Sequence, residues 1–374
     1  MRVVNAELHR VRIPFKRRFD HATAARDGAE RIYVTLKGES GHIGFGEIMP
    51  RPYLTGETLD NVFEKTGPAR ASGLVGRRFA DQADLVAHLR EALAHAGRNL
   101  ALAGGFEAAL INLAEHDLGG FDYDALLGPK RTTPVGRCVT IGLVDDRKTL
   151  RRYALEAKMA KATVVKVKVG GSADVERIGT LRSFLGDLPI RLDANGALSF
   201  DAASDLLAGL EGGAIGSIEQ PLDAAEPDLA EKLKTLFETH GVPIMADESV
   251  CSAADVEAWG GQGGYQLVNV RAGKCGGLIG ARLVIEAARR HRLDLVGGTL
   301  VGESGVLDRQ GGILLSRTAD MPYMEGLGQA RWLLEEDPTV DQSIVNNNFD
   351  GLNCFQWNIG QLERWKVDGP LYFS

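Results

Sequence analysis

The sequence predicts an α/β protein built around a closed parallel barrel, and three observations carry that prediction. From Cys138 onward, short apolar segments recur with starts about 25 to 30 residues apart, each followed by a helical stretch. That is the rhythm of βαβ units in a parallel sheet. Eight such units can be read, which favours a closed barrel over an open sheet. No G-x-G-x-x-G follows a first strand and no Walker A motif occurs, which counts against a nucleotide-binding doubly wound sheet.

The elements follow in order. MRVVNAELHRVRI at the start and RIYVTLKGE from Arg31 read as strands. GHIGFGEIMPRPYLTGET, from Gly41, reads as turn-rich, and helical stretches are expected around 81–96 and 105–118. The barrel strands are CVTIGLV from Cys138, VVKVKV from Val164, IRLDA from Ile190, SIEQP from Ser217, PIMADE from Pro243, QLVNVR from Gln266 and LDLVGGTL from Leu293. PYMEG from Pro322 is a weaker eighth. The tail from Leu327 has weak periodicity and is expected to pack back on the N-terminal part.

With 374 residues, 44% hydrophobic and 25% charged, the composition is that of an ordinary soluble protein. A net charge of -7 argues against a nucleic-acid surface, and the locally basic stretch from His9 to His21 reads as a solvated strand and loop. No apolar run is long enough for a membrane span, and the N-terminus lacks the apolar core of a signal peptide. Cys138, Cys251, Cys275 and Cys354 are scattered without a C-x-x-C, which fits a reduced, cytoplasmic setting.

The chemistry falls at the predicted strand ends, where a parallel barrel carries its active site. Lys166 and Lys168 share one face of their strand by period two. Asp193, Glu219 and Asp247 end three consecutive strands, and three unpaired carboxylates at adjacent strand ends repel one another. Either a divalent cation resolves that conflict, or each acid pairs separately with an Arg or Lys. The spacing favours the cation, and oxygen-only ligation selects Mg²⁺, with Mn²⁺ as the alternative, over zinc. Lys166 disfavours the charged form of Lys168, so Lys168 can serve as a general base. Taken alone, the lysine pair reads more readily as ion-paired residues near the barrel mouth.

Together, VVKVKVG, RLDANGALS, SIEQPL, MADESV and VNVRAGKCGGL resemble the enolase superfamily, in particular the muconate-lactonizing subgroup of the mandelate racemase and muconate lactonizing enzymes. GHIGFGEIMPRPYLTGET and GFEAALINLAEHDLGGFDYDALLG resemble the capping domain of that family, so the resemblance covers roughly residues 1–330. It implies a modified TIM barrel, (β/α)₇β, with an α+β N-terminal capping domain. The expected organisation is a capping domain over 1–130, a catalytic barrel over 131–326, and a C-terminal segment over 327–374 that returns to the capping domain. The resemblance makes Asp193, Glu219 and Asp247 the Mg²⁺ ligands, Lys168 the base and Lys166 its electrostatic modulator. Asn195 and Glu248 match positions that support the ligands. The capping loops make His21, Arg26, Tyr53 and Thr55 candidate substrate contacts, although each reads equally well as an ordinary loop residue. Glu303 is a candidate substrate contact or proton donor, or else an acid paired with a nearby base.

The sequence departs from the subgroup at two places. Arg271 stands in NVRAGKCGG where a second catalytic lysine is usual, and Lys274 matches only the later lysine of that pattern. Arginine is essentially always protonated and makes a poor base. The expected reaction is therefore one-base α-proton abstraction from a small carboxylate substrate to a metal-stabilised enolate, then elimination of water or cycloisomerisation. The alternative is a racemase or epimerase of an amino-acid or dipeptide-like substrate. A catalytically silent metal-binding barrel is the alternative from another class. The tail segment NNNFDGLNCFQWNIGQLERW does not match the usual closing segment. A homo-oligomer is expected, with no nucleic-acid or membrane partner.

Overall fold

The computed structural model describes residues 1–20, 25–171, 174–212, 214–339, 364–368 and 370–374, with the side chains of 17–20 and 25–26 left out. β1 (Val3–Asp20) and β2 (Ala25–Gly38) form an antiparallel pair. The middle of β2 is buried on both faces. Ile32, Val34 and Leu36 join the main core, whereas Tyr33 packs with Val11 and Ile13 of β1 and with Leu300, Val306 and Leu307. This N-terminal sheet therefore lies between its own helices and the chain that follows the last barrel strand. The stretch from His9 to His21 is mostly β1, with Val11 and Ile13 buried and Arg10 ion-paired to Glu30 and Asp60.

β3 (Ile43–Ile48) pairs with β2 inside the stretch expected to be turn-rich. The glycines there serve close approach, not turns. A Cβ at Gly44 would lie 2.1 Å from the Ala109 carbonyl oxygen, and one at Gly46 1.9 Å from that of Gly105. Only glycine lets the strand lie directly on the helix backbone. Helices α1 (Leu59–Asn61) and α2 (Gly67–Leu74) flank a π-helical turn, and α3 (Gln82–Ala94) is capped by Asp81. α4 (Leu100–Asp117) starts earlier than expected, because the Glu57 carboxylate accepts from the backbone N–H groups of Ala101 and Leu102. α5 (Tyr123–Leu127) ends this part.

The barrel strands are β4 (Cys138–Ile141), β5 (Val164–Lys168), β6 (Ile190–Asp193), β7 (Ile215–Glu219), β8 (Ile244–Ala246), β9 (Leu267–Val270) and β10 (Asp294–Gly297). They pair in chain order, all parallel. Helices α6 (Arg147–Met159), α7 (Asp174–Leu185), α8 (Phe200–Gly209), α9 (Leu229–His240), α10 (Ala253–Gly260), α11 (Ala272–Cys275), α12 (Gly277–Arg290) and α13 (Gly305–Ser316) intervene, followed by α14 (Ala330–Leu333). The expected eighth strand is reduced to one parallel bridge, Gly297 to Met324. Its backbone still closes the circle: Tyr323 and Glu325 bond Gly297 on one side, and the Pro322 carbonyl accepts from Gly136 N on the other. Pro322 has no N–H to donate and Gly326 turns the chain at φ 72°, so the ladder cannot lengthen.

The tail returns to the N-terminal sheet, with β11 (Leu371–Phe373) antiparallel to β1 and Lys366 bridged to Val11. Among the described residues, no helix is long and apolar enough to cross a membrane.

Candidate active site

Parallel register sets the site. Lys168, Asp193 and Glu219 are level with one another across β5, β6 and β7. Asp247 follows β8, and Arg271 follows β9 on the far side of the barrel. Side chains two residues earlier point the same way and form a second layer beneath. That layer holds Lys166, Arg191, Ser217, Met245 and Asn269, and all five are buried.

Lys166 sits at the crossing of both layers. Its Nζ lies 2.8 Å from Asp193 Oδ2, 2.7 Å from Glu219 Oε2 and 2.8 Å from Glu325 Oε2. Burial pulls the Lys166 ammonium down, and Asp193, Glu219 and Glu325 reverse this and hold it well above the ordinary lysine value. Lys168 Nζ donates to Asp193 Oδ2 and Asn195 Oδ1, each at 2.6 Å. Arg191 donates to Ser217, Tyr323, Glu219 and Glu325. Asn269 Nδ2 donates to Glu219 Oε1 at 2.9 Å. Lys274 Nζ donates to Asp247 Oδ1 at 2.8 Å and to its carbonyl oxygen at 2.7 Å.

Arg271 Nη2 is in ionic contact with Asp247 Oδ2 and lies 3.5 Å from Glu219 Oε1. Burial lowers the basicity of its guanidinium, and Asp247, Glu219 and Glu248 more than restore it. Asp247 is raised by burial but drawn down to about 2 by Arg271 and Lys274. Burial, followed by Asp247 and Asp193, pushes Glu248 up to about 7. Burial also raises Glu219, to about 8, with Lys166 opposing it and Asp193, Glu325 and Asp247 assisting.

The predicted ligands thus share one barrel mouth, and each is also ion-paired. Among the described residues, no group of three His, Cys, Asp or Glu side chains is arranged to hold a metal ion. The donor chemistry nevertheless fits a hard cation, being all oxygen. Among the described residues, Glu248 Oε2 is buried without a hydrogen-bond partner beside this cluster.

The other candidates distribute as follows. Asn195 accepts from Lys168 and donates Nδ2 to Glu248 Oε1 at 3.3 Å. Tyr53 is 55% exposed on the capping loop, and its field acts on Arg271. Thr55 is buried beside Glu57 at the start of α4. His21 lies outside the described residues, as does the Arg26 side chain. Glu303 is buried; its Oε1 accepts from Leu300 N at 2.6 Å, and burial together with Asp308 holds its carboxyl well above the usual range. The next residue, Ser304, caps α13 and donates Oγ to Glu47 Oε2 at 2.6 Å. Glu47 in turn pairs with Arg31 Nη1 at 2.8 Å, which ties the N-terminal sheet to the Glu303 loop. Arg51 Nη2 adds a bond to the Val301 carbonyl at 3.3 Å.

Glu325, Arg191, Ser217 and Asn269 were not read as site residues from the sequence. Their signal was period two: three of them stand two residues before a strand-end group already singled out.

Comparison with known proteins identifies the family and the fold. Residues 149–344 match the family described as Enolase C-terminal domain-like. The D-Ala-D/L-Ala epimerase of Cytophaga hutchinsonii is 30% identical over 85% of each chain. The o-succinylbenzoate synthase of Bacillus subtilis is 25% identical over 91% of this chain and 89% of its own. The crystal structure of a dipeptide epimerase from Cytophaga hutchinsonii, complexed with Mg and the dipeptide D-Ala-L-Val, superposes over the whole of both chains with TM-score 0.83 at 25% identity. A barrel with these strand-end groups, matched at this breadth, defines a class: the chain belongs to the enolase superfamily. Within that superfamily its relatives are isomerases and lyases, and the chain is an enzyme of that kind.

Proposed function

We propose that the protein is a Mg²⁺-dependent epimerase that removes and returns the α-proton of a dipeptide-like carboxylate. The observation that carries the chemistry is the buried lysine pair, Lys166 and Lys168, beside Asp193 and Glu219 on consecutive strands. The similarity to dipeptide epimerases favours epimerisation. Mg²⁺ at Asp193, Glu219 and Asp247 supplies the positive charge that makes a proton beside a carboxylate removable. Mn²⁺ has the same ligand preference. Asn195 and Glu248 support the ligand set.

Lys168 is the base on one face. Lys166, kept charged by its three acids, disfavours a second positive charge on Lys168. Epimerisation needs a proton from the opposite face, and Arg271 does not supply it, because its neighbouring acids hold its proton more tightly still. Glu303 fills that role in this reading: its electrostatic field meets that of Arg271, and its burial favours the protonated carboxyl. Tyr53 on the capping loop contacts the distal part of the substrate. Among the described residues the cysteines Cys138, Cys251 and Cys275 form no disulfide, which supports a reducing, cytoplasmic setting.

Arg271 favours a second reading, one-base elimination or cycloisomerisation, in which only the Lys168 face moves protons. Proton NMR in D₂O with Mg²⁺ and a panel of dipeptides separates the two. Epimerisation incorporates deuterium at one α-carbon starting from either epimer. Exchange from a single epimer, without inversion, sinks the epimerase reading and leaves the one-base reading. No exchange, with no response to Mg²⁺ or to Asp193→Asn, overturns both and leaves a silent barrel.

A further inference from the structure

Arg271 lies between two of the three carboxylates expected to hold metal. Its guanidinium contacts Asp247 Oδ2 and reaches to 3.5 Å from Glu219 Oε1. Asn269 fixes both partners, accepting from Arg271 Nε at 3.2 Å and donating to Glu219 Oε1 at 2.9 Å. The charges around the mouth also balance. Counted as formal charges, Asp193, Glu219, Asp247, Glu248 and Glu325 stand against Lys166, Lys168, Arg191, Arg271 and Lys274, five acids with five bases, and burial draws Glu219 and Glu248 further toward neutrality. A buried acid cluster that is already neutralised gains less from an added cation than one that is not.

We propose that Arg271 is a built-in counterion that competes with the divalent cation for Asp247 and Glu219, so that metal binds only as the guanidinium moves aside. The proposal rests on the metal-dependent reading above. Arg271 is 8% exposed and borders the mouth. Glu248 is available to receive the displaced guanidinium: its field already acts on Arg271, and its Oε2 has no partner among the described residues. The arginine thus has a function beyond the loss of a base. It keeps the mouth ordered without metal, and it ties metal entry to a movement beside Glu248.

Competition between two ligands for one set of carboxylates is a negative coupling, typically of roughly 5- to 150-fold. The test is calorimetric titration with Mg²⁺ alone, on chelator-treated full-length wild type, Arg271→Met and Arg271→Lys, with melting curves at zero and saturating Mg²⁺. Arg271→Met should bind Mg²⁺ about tenfold or more tightly than wild type. It should melt lower than wild type without metal and be raised further by Mg²⁺. Arg271→Lys, which keeps the charge but not the fork, should fall between them, and it carries the test if the methionine variant does not fold. Equal or weaker Mg²⁺ binding by the variants, with wild type binding normally, overturns the counterion role and leaves the metal reading intact. Absence of Mg²⁺ binding in wild type and variants alike overturns the metal reading, and the counterion role with it.

Discussion

Glu325→Gln tests whether the lower layer holds the site together. Glu325 is 5% exposed, with Oε2 2.8 Å from Lys166 Nζ and Oε1 2.5 Å from Arg191 Nη1. At an effective dielectric of about 20, each contact represents about 6 kcal/mol of gross attraction. The net effect is smaller, because burying the charges opposes it; removing one member of a buried pair typically destabilises by about 3 to 5 kcal/mol. Glutamine keeps one acceptor oxygen, Lys166 keeps Asp193 and Glu219, and Arg191 keeps Glu219. The expected loss is therefore about 2 to 4 kcal/mol, or a Tm lower by about 3 to 5 °C for a chain of this size. The control is Glu39→Gln, which removes a surface pair with Arg2 at 3.4 Å whose side chains are 54% and 38% exposed; its loss should stay below about 0.5 kcal/mol. Melting is followed by circular dichroism in chelator, so that metal does not mask the difference. A Glu325→Gln shift no larger than that of Glu39→Gln would refute the account of the lower layer as a coupled ionic network.

Three other outcomes are expected. Lys168→Ala should stop inversion and abolish α-proton exchange from the epimer whose proton faces Lys168, while retaining Mg²⁺ binding in calorimetry; residual exchange from that epimer above about one hundredth of wild type would assign the base elsewhere. Glu303→Gln should stop inversion but spare exchange from the Lys168 face, and unaltered epimerisation would remove Glu303 from the proton path. His88 is held down to about 4 from 6.5 by burial, then by Arg77 and Arg70, and among the described residues neither ring nitrogen has a hydrogen-bond partner. The fold prefers the neutral ring, so the stability it confers is present above pH 6.5 and is lost as pH falls toward 4. Allowing for water at the ring edge, that loss is about 1 to 3 kcal/mol. His88→Leu should lose less stability than wild type between pH 7 and about 4.5 in urea titrations, and parallel losses would count against it.

The upper layer of the site was legible because an acid at the end of a short strand-like segment is conspicuous: Asp193 in IRLDA, Glu219 in SIEQP and Asp247 in PIMADE. The lower layer was harder to see, because Arg191, Ser217 and Asn269 look like isolated polar interruptions of their strands. Only closure of the sheet shows that they converge. Glu325 escaped for a different reason: its strand is a single bridge, and a proline and a glycine flank it. The glycines of β3 misled in the opposite direction, since composition alone does not distinguish a turn from a strand pressed against a helix backbone. The same closure changes the meaning of the lysine pair. Considered along its own strand, Lys166 is a buried charge one residue from another. Across the closed barrel it has three carboxylates, one from a segment more than a hundred residues later. Lys166 is therefore tolerable in the core because of what the fold brings to it. Arg271 on the opposite strand follows the same logic: its buried charge is tolerable because the fold brings Asp247 and Glu219 to it.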